Sequence, residues 1–170
     1  MYIGVISDTH GRFEDDVKHF LEPVDVIWHA GDFGGIACAD AIAAFKPLVG
    51  VYGNCDGADV RAVYPLQQVF MAEEVRIAMT HIGGFPGRYD WEAYNLITHN
   101  NPRIFVCGHS HILRVIGDKK LGVMVFNPGS CGFQGIHAVR TALRFKIDGS
   151  DIHDMEVGEW KRRETCDSEM

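Results

Sequence analysis

Seven side chains of the types that bind divalent metals stand directly after apolar runs of this chain. In chain order, they are Asp8, His10, Asp32, Asn54, His81, His109 and His111. Carboxylate, amide and imidazole ligands in this mixture suit Mn²⁺, Fe²⁺, Ni²⁺, Co²⁺ or Zn²⁺ better than Mg²⁺ or Ca²⁺, which prefer sites built from oxygen alone. Seven ligands are too many for one tetrahedral ion, and they suit two ions that share one carboxylate. Such pairs, roughly 3.5–4 Å apart, act on the attacking and leaving oxygens of a phosphoryl transfer.

The elements that must position these residues are buried strands. Each ligand or ligand pair follows a run rich in Val and Ile, and the predicted strands cover residues 3–6, 24–28, 48–52, 75–79 and 104–107. Fully apolar runs of this length are typical of strands that are buried on both faces. In open α/β sheets, ligands bind beyond the carboxyl ends of the strands. The five strand ends are therefore expected to converge on one metal site.

Other patterns give the fold class. Helical spacing of apolar residues predicts helices over 14–21, 36–45 and 90–100, the last with Asp90 as its N-cap. The predicted connections are a hairpin of 67–72 with 75–80 and a loop over 82–89, and the later strands are 113–116, 122–126, 141–147 and 152–157. We predict an α/β sandwich of two mixed β-sheets flanked by helices. One domain is expected over residues 1–157, followed by a polar tail over 158–170.

Composition and charge exclude several classes. Of the 170 residues, 46% are hydrophobic and 23% are charged, which is typical of a globular domain and not of a disordered or fibrous chain. The net charge of −7 argues against binding to duplex nucleic acid or to an anionic membrane surface. No apolar run is long enough to span a membrane. Five cysteines without a disulfide framework, and no visible signal peptide, predict a cytoplasmic protein.

The ordered set of motifs resembles a known family. The patterns Asp-x-His, Gly-Asp, Gly-Asn-x-Asp, His and Gly-His-x-His together resemble the calcineurin-like metallophosphoesterases. The short chain, Gly53-Asn54-Cys55-Asp56 and Asn127-Pro128-Gly129-Ser130 are similar to the small YfcE-type phosphodiesterase branch of that superfamily. The resemblance covers residues 1–157. It implies the two-sheet α/β sandwich of the family and a phosphodiesterase activity on a small-molecule phosphodiester.

The resemblance also implies roles for the seven ligands. The first ion would be held by Asp8, His10, Asp32 and His111, and the second by Asp32, Asn54, His81 and His109. Asp32 would bridge the two ions, and a hydroxide between them would be the nucleophile, which makes Asp32, Asn54 and His109 the implied catalytic residues. Manganese is the metal we expect, while iron, nickel, cobalt and zinc stay open.

Two features of the chain depart from the larger superfamily. Many members carry a histidine at the position of Cys55, where the imidazole can protonate the leaving group and is oriented by the following aspartate, here Asp56. A thiol with a pKa near ~8.5 is a poor replacement for an imidazolium acid, so we predict better activity on activated diesters than on monoesters. The segment 82–89 is the second departure. Arg12 and Arg88 are the cations predicted to reach a phosphate oxygen.

Three alternatives remain open on the sequence. The same fold serves as a non-catalytic scaffold in the retromer complex, but the loss of a metal ligand would favour that role, and every ligand is present here. A phosphomonoesterase or nucleotidase could use the same site, with Cys55 as the argument against it. A homo-oligomer is compatible with exposed strands in the second half of the chain.

Overall fold

The computed structural model describes residues 1–162. The helices are α1 (Asp15–Leu21), α2 (Ile36–Phe45), α3 (Ala58–Arg61) and α4 (Trp91–Asn100). The strands of the first half are β1 (Tyr2–Ile6), β2 (Val26–His29), β3 (Leu48–Gly50), β4 (Gln67–Ala72), β5 (Val75–Thr80), β6 (Gly84–Phe85) and β7 (Arg88–Tyr89). Those of the second half are β8 (Ile104–Val106), β9 (Leu113–Asp118), β10 (Val123–Pro128), β11 (Val139–Asp148) and β12 (Asp151–Lys161).

The strands form two mixed sheets of five strands each. The first has the order β12-β11-β1-β2-β3, in which β1, β2 and β3 are parallel and β11 is antiparallel to both of its neighbours. The second has the order β4-β5-β8-β10-β9, with a parallel centre and antiparallel edge strands. Helices flank the sheets, so the predicted α/β sandwich of two mixed sheets is confirmed.

Apolar side chains pack between the sheets and under the helices. The layer between the sheets includes Trp28, Phe126 and Phe145, whose rings meet edge to face at centroid distances of 5.7 Å (Trp28–Phe145) and 5.3 Å (Phe126–Phe145). On the outer face of the first sheet, Leu21 of α1 and Ile42 of α2 are fully buried. Burial on both faces explains why the strands are continuously apolar. It also makes the parallel strand ends a rigid platform for the side chains that follow them.

Several local predictions are confirmed. Helix α2 has the predicted bounds, and β4 and β5 form the predicted hairpin. Helix α4 begins directly after Asp90, whose side chain accepts a hydrogen bond from the Glu92 backbone N–H at 3.0 Å, as expected of an N-cap. None of the helices within residues 1–162 combines the length and apolar character that crossing a membrane requires.

Two predictions need correction. The segment 82–89 is not an irregular loop, because β6 and β7 pair within it, with Gly87 at φ +85° in the connecting turn. The last strand does not end at 157 but continues to Lys161, and Gly158 is buried opposite Ala142. The long partner strand β11 provides the pairing that a local sequence pattern does not reveal. The rest of the predicted tail, residues 163–170 with Cys166, lies outside the described residues.

Candidate metal centre

The turns that follow the strands hold strained backbone. Five of the seven predicted ligands have a left-handed backbone, with φ of 55° at Asp8, 46° at His10, 59° at Asp32, 67° at His109 and 59° at His111. This conformation costs about 1–2 kcal/mol for a residue with a side chain, although Asp and His adopt it more readily than most. Strain of this kind is concentrated at functional sites, where the surrounding structure holds it in place.

Backbone hydrogen bonds fasten the first two turns to each other. The N–H of Asp8 donates to Gly31 O at 2.9 Å, and the N–H of His10 donates to Asp32 O at 3.1 Å. These bonds extend the pairing of β1 with β2 beyond the ends of both strands. The turn with Asp8 and His10 and the turn with Asp32 therefore behave as one unit, and their side chains face the same point.

The Asp8 carboxylate faces three imidazoles. Its Oδ1 atom lies 3.1 Å from His111 Nε2, 3.8 Å from His10 Nε2 and 3.8 Å from His81 Nε2. The rings of His10 and His111 meet edge to face at 5.6 Å between centroids. Asp8, His10 and His111 together have the spacing of one metal-binding group.

Asp32 lies close to two histidines that the family resemblance assigns to different ions. Its Oδ2 atom is 3.2 Å from His81 Nε2 and 3.9 Å from His10 Nε2. Asp8, Asp32 and His81 form a second group with metal-binding spacing, so Asp8 belongs to both groups. The other oxygen of Asp32, Oδ1, accepts a hydrogen bond from the Cys55 backbone N–H at 2.9 Å. That contact ties the loop after β3 to the same point.

His109 and Asn54 complete the cluster. His109 Nδ1 lies 3.0 Å from Asn54 Oδ1, and the His109 ring is 5.2 Å from the ring of His81. The backbone N–H of His109 donates to Asp8 Oδ2 at 3.2 Å. The fold thus brings all seven predicted ligands together, although they are drawn from five separate strand ends.

The donor atoms fit bound cations. The Nε2 atoms of His10 and His81 are buried and have no hydrogen-bond partner within the described residues, although both lie close to carboxylate oxygens. His81 Nδ1 lies 2.7 Å from the carbonyl oxygen of Ala30, which only accepts, so Nδ1 carries the proton of the neutral ring. The lone pair of His81 Nε2 then points into the cluster. A backbone carbonyl that fixes the tautomer is the usual support of a metal-ligating histidine.

Electrostatics keep the carboxylates ionised. Burial alone would raise the pKa of Asp32, but the adjacent His81 imidazole, whenever it carries a second proton, and the hydrogen bond from the Cys55 N–H hold it well below its usual range. Burial would also raise the pKa of Asp8, but hydrogen bonds from His111 and Ser7 lower it below its usual value. Burial lowers the pKa of His10, which favours its neutral form. Ionised carboxylates and neutral imidazoles are the forms that bind metal.

A buried histidine outside the ligand set joins the first two turns. The Gly31 N–H donates to His29 Nδ1 at 3.1 Å, so Nε2 carries the proton and donates to Thr9 Oγ1 at 2.9 Å. Thr9 Oγ1 donates in turn to Phe33 O at 3.0 Å. His29 also stacks on the Phe33 ring at 3.7 Å, and burial lowers its pKa to about 3. His29 has no local sequence signal that separates it from an ordinary core histidine.

The predicted neighbours of the centre have distinct roles. Cys55 is exposed, and slight burial together with the negative charge of Asp32 raises the pKa of its thiol, which therefore stays protonated at neutral pH. Asp56 is buried and braces the loop, because its carboxylate accepts from the N–H groups of Gly53 at 2.8 Å and Gly34 at 3.0 Å. Neither side chain can serve as an imidazole acid beside the centre.

The cations near the predicted ligands have different surroundings. Arg12 directly follows the first turn, packs over Phe133 at 5.5 Å and lies 3.8 Å from Glu14. Arg88, in β7, lines a cavity that does not include the predicted ligands. Arg61 was missed, yet its Nη2 donates to the backbone oxygen of Asn54 at 3.3 Å and its guanidinium lies over Tyr52. Its only sequence signal is its position shortly after the Asn54 turn.

A cleft of about 380 Å³ opens onto the centre. It is lined by the ligands Asn54 and His81, by Arg61, and by Asp90 and Glu92 at the start of α4. This volume is within the range of small-molecule sites. A cluster of metal-ligating side chains at strand ends, next to a small cleft, is the arrangement expected of a metal-dependent hydrolase.

Comparison with known proteins gives the family. A model of the calcineurin-like phosphoesterase superfamily domain matches residues 1–150, so the chain belongs to that superfamily, as its motifs predicted. Fold and family together support a metal-dependent phosphoesterase. The chain is similar to a probable metallophosphoesterase of Methanothermobacter thermautotrophicus, with 27% identity over 140 residues that cover 76% of this chain and 77% of the relative.

Solved structures share the fold at low identity. An archaeal phosphodiesterase superposes with a TM-score of 0.72 at 19% identity, over 92% of this chain and 99% of the other. A single-mutant form of Vps29 from Entamoeba histolytica superposes with a TM-score of 0.73 at 17% identity, over 95% and 100% of the two chains. These similarities show that the chain shares its α/β sandwich fold with both proteins.

Proposed function

We propose that the chain is a dinuclear-metal phosphodiesterase that acts on small-molecule phosphodiesters. The observation that carries the proposal is the pair of buried, unpartnered Nε2 atoms of His10 and His81 on either side of Asp32 Oδ2. One ion would be held by Asp8, His10, Asp32 and His111, and the other by Asp32, Asn54, His81 and His109. The position of Asp32 Oδ2 between imidazoles of the two sets supports its role as the bridging ligand.

The remaining residues bind and orient the substrate. Two divalent ions, when bound, supply an activated water for in-line attack on phosphorus and neutralise charge on the phosphate oxygens. Arg61 is fixed by the Asn54 carbonyl and by the Tyr52 ring, so its remaining N–H groups can bind a phosphate oxygen in the cleft. Arg12 stays a predicted phosphate contact from the opposite turn.

The chemistry beside Asn54 favours diesters. The Cys55 thiol has a raised pKa and is a weak proton donor, so the leaving alcohol receives little help from a general acid. Activated diesters need that help least. The archaeal phosphodiesterase of the same fold supports this choice. Manganese as the preferred ion and a cytoplasmic setting stay predictions, as does a homo-oligomer.

A scaffold role is the second candidate. The likeness to Vps29 favours it, and so do exposed apolar residues on the edge strand β9, where Val115 and Ile116 are each 41% exposed. The complete ligand set argues for catalysis, since a scaffold has no need of buried imidazoles without partners. A phosphomonoesterase that uses the same centre is the third.

Hydrolysis of two model esters tests the proposal. We expect Mn²⁺-dependent hydrolysis of bis-p-nitrophenyl phosphate that is faster than that of p-nitrophenyl phosphate. Asp32→Ala should abolish both reactions, whereas Asp15→Ala, which alters a side chain that is 99% exposed on α1, should change neither. A sample that contains bound metal and hydrolyses neither ester would favour the scaffold. A faster monoester reaction would favour the phosphomonoesterase.

A further inference from the structure

A second cavity, of about 420 Å³, lies beside the β6–β7 hairpin and contains none of the seven predicted ligands. We call it the hairpin pocket. Its principal lining residues are Arg88, Tyr89, Trp91, Tyr94, Asp118 and Lys120. The volume is within the range of small-molecule sites. This pocket is built by the segment that departs from the family pattern, together with the start of α4 and the end of β9.

Aromatic rings form one part of the hairpin pocket. Trp91 is 70% exposed and Tyr94 is 40% exposed, both in the first turns of α4. The Tyr89 ring is 6.5 Å from that of Tyr94 and packs edge-on against the buried Phe105. Large aromatic side chains exposed in a cavity offer flat apolar surface to a ligand and are enriched at binding sites. The pocket therefore suits a planar ring.

Two cations form the other part. Within residues 1–162, neither the Arg88 nor the Lys120 side chain forms a hydrogen bond or an ion pair, although the chain carries a net charge of −7. The one carboxylate, that of Asp118, accepts from the Tyr89 hydroxyl at 2.8 Å and from the N–H groups of Lys120 and Leu121 at 2.9 and 3.1 Å. The Asp118 carboxylate is thus hydrogen-bonded to residues that line the pocket and stabilises their arrangement. Two positive charges against one negative charge favour an anionic ligand.

The neighbouring cleft has the opposite character. Asp90 and Glu92 line the cleft next to the metal centre, and neither lines the hairpin pocket. At the start of α4, Asp90 and Glu92 therefore line the cleft, whereas Trp91 between them lines the hairpin pocket. Tyr89 is anchored by its bond to Asp118, and the Asp90 N–H donates to Gly83 O at 3.0 Å, so the pocket is formed before any ligand arrives.

We propose that the hairpin pocket binds a nucleoside monophosphate, with the base stacked on Trp91 and Tyr94 and the phosphate bound by Arg88 and Lys120. Proteins that bind single-stranded nucleic acid without sequence preference stack the bases on aromatic side chains and bind the phosphates with cations, and the same contacts suit one nucleotide. The site is separate from the metal centre, so the proposal does not depend on the proposed phosphodiesterase activity.

Calorimetric titration with AMP tests the proposal. The titration uses the full chain in the Asp32→Asn background, which removes metal-dependent binding of phosphate at the centre. We expect AMP to bind to the Asp32→Asn variant as tightly as to the wild type. Adding Trp91→Ala or Arg88→Gln to that variant should weaken AMP binding by at least about fivefold. Trp91→Phe, which keeps an aromatic ring, should retain much of the AMP affinity that Trp91→Ala loses. Lys119→Gln is the matched control, because Lys119 is an exposed neighbour of Lys120 outside the pocket lining.

The ligand itself gives further controls. Adenosine lacks the phosphate and ribose 5-phosphate lacks the base, so each should bind at least about fivefold more weakly than AMP. Equal AMP affinity in wild type and Trp91→Ala, with both folded by circular dichroism, would overturn the proposal. AMP binding that requires Mn²⁺ and an intact Asp32 would assign the nucleotide to the metal centre instead. Absence of binding up to millimolar AMP would also reject it.

Discussion

Replacing Asp32 by Asn isolates the charge of the proposed bridging ligand. Asparagine keeps the shape of aspartate, and its side-chain oxygen can still accept the Cys55 N–H that Asp32 Oδ1 accepts at 2.9 Å. The substitution removes the negative charge that lies 3.2 Å from His81 Nε2 and 3.9 Å from His10 Nε2. Both imidazoles lose the charge of Asp32 but keep Asp8 Oδ1 at 3.8 Å, while the backbone that fastens the turn to β1 stays in place.

The magnitude follows from Coulomb's law. With an effective dielectric constant of ~20, two unit charges ~4 Å apart interact by about 4 kcal/mol. A divalent ion doubles the attraction, and the unequal desolvation of bound and free carboxylate reduces it again, so we take about 4 kcal/mol as the net loss. Since about 1.4 kcal/mol corresponds to a tenfold change, Mn²⁺ affinity should fall by roughly 10³-fold. The rate of diester hydrolysis at a fixed Mn²⁺ concentration should fall by at least the same factor.

Two measurements separate metal binding from folding. Calorimetry gives the dissociation constant of Mn²⁺, and thermal unfolding with and without Mn²⁺ gives the stabilisation by the ion. We expect Asp32→Asn to lose the Mn²⁺-dependent rise in Tm while its metal-free Tm stays within a few degrees of wild type. Asp15→Asn, on an exposed side chain, controls for the loss of one charge. A variant that binds Mn²⁺ as tightly as wild type would refute the bridging role of Asp32.

Three further variants test the surroundings of the centre. Cys55→His should raise the ratio of monoester to diester hydrolysis by at least about tenfold, because general acid catalysis typically contributes about 10²–10⁴-fold. Cys55→Ser is the control. An unchanged ratio at normal metal content would contradict the idea that the wild type lacks a general acid at this position. Gly53→Ala should destabilise the protein by about 1–3 kcal/mol and weaken Mn²⁺ binding, because the new methyl group would overlap the Asp32 side chain. Gly57→Ala is the control and should do neither, because its methyl group would come no closer than 3.3 Å to Asp59. His29 has a folded-state pKa of about 3, below its unfolded value of ~6.5, so its contribution to stability is full above pH 6.5 and is lost as the pH falls towards 3, by up to about 1.4 kcal/mol per pH unit. Urea unfolding should therefore show a shallower loss of stability between pH 6.5 and 5 in His29→Gln than in wild type, and equal slopes would contradict the assignment.

Local patterns predicted much of the fold because the interactions that set them are local. The bounds of α2 follow from apolar spacing within ten residues, and the start of α4 follows from one cap at Asp90. The extent of strand pairing has no such signal. The length of β12 depends on the long partner strand β11, and the two-residue strands of the β6–β7 hairpin are too short to show an alternating pattern. The substrate-binding cations show the same limit, since Arg88, predicted to reach a phosphate oxygen, lines the hairpin pocket, whereas Arg61, which was not predicted, contacts Asn54.

The sequence by itself determined which side chains can bind metal and that each follows a buried strand, because residue type and apolar runs are properties of short segments. Only the tertiary structure decided that Asp32 Oδ2 lies between His10 and His81, and that Asp8 meets His111 across more than a hundred residues of chain. It also decided the tautomer of His81, through the carbonyl oxygen of Ala30 on a neighbouring turn. These contacts depend on how two sheets pack and where parallel strands end together, and that packing is a property of the whole chain.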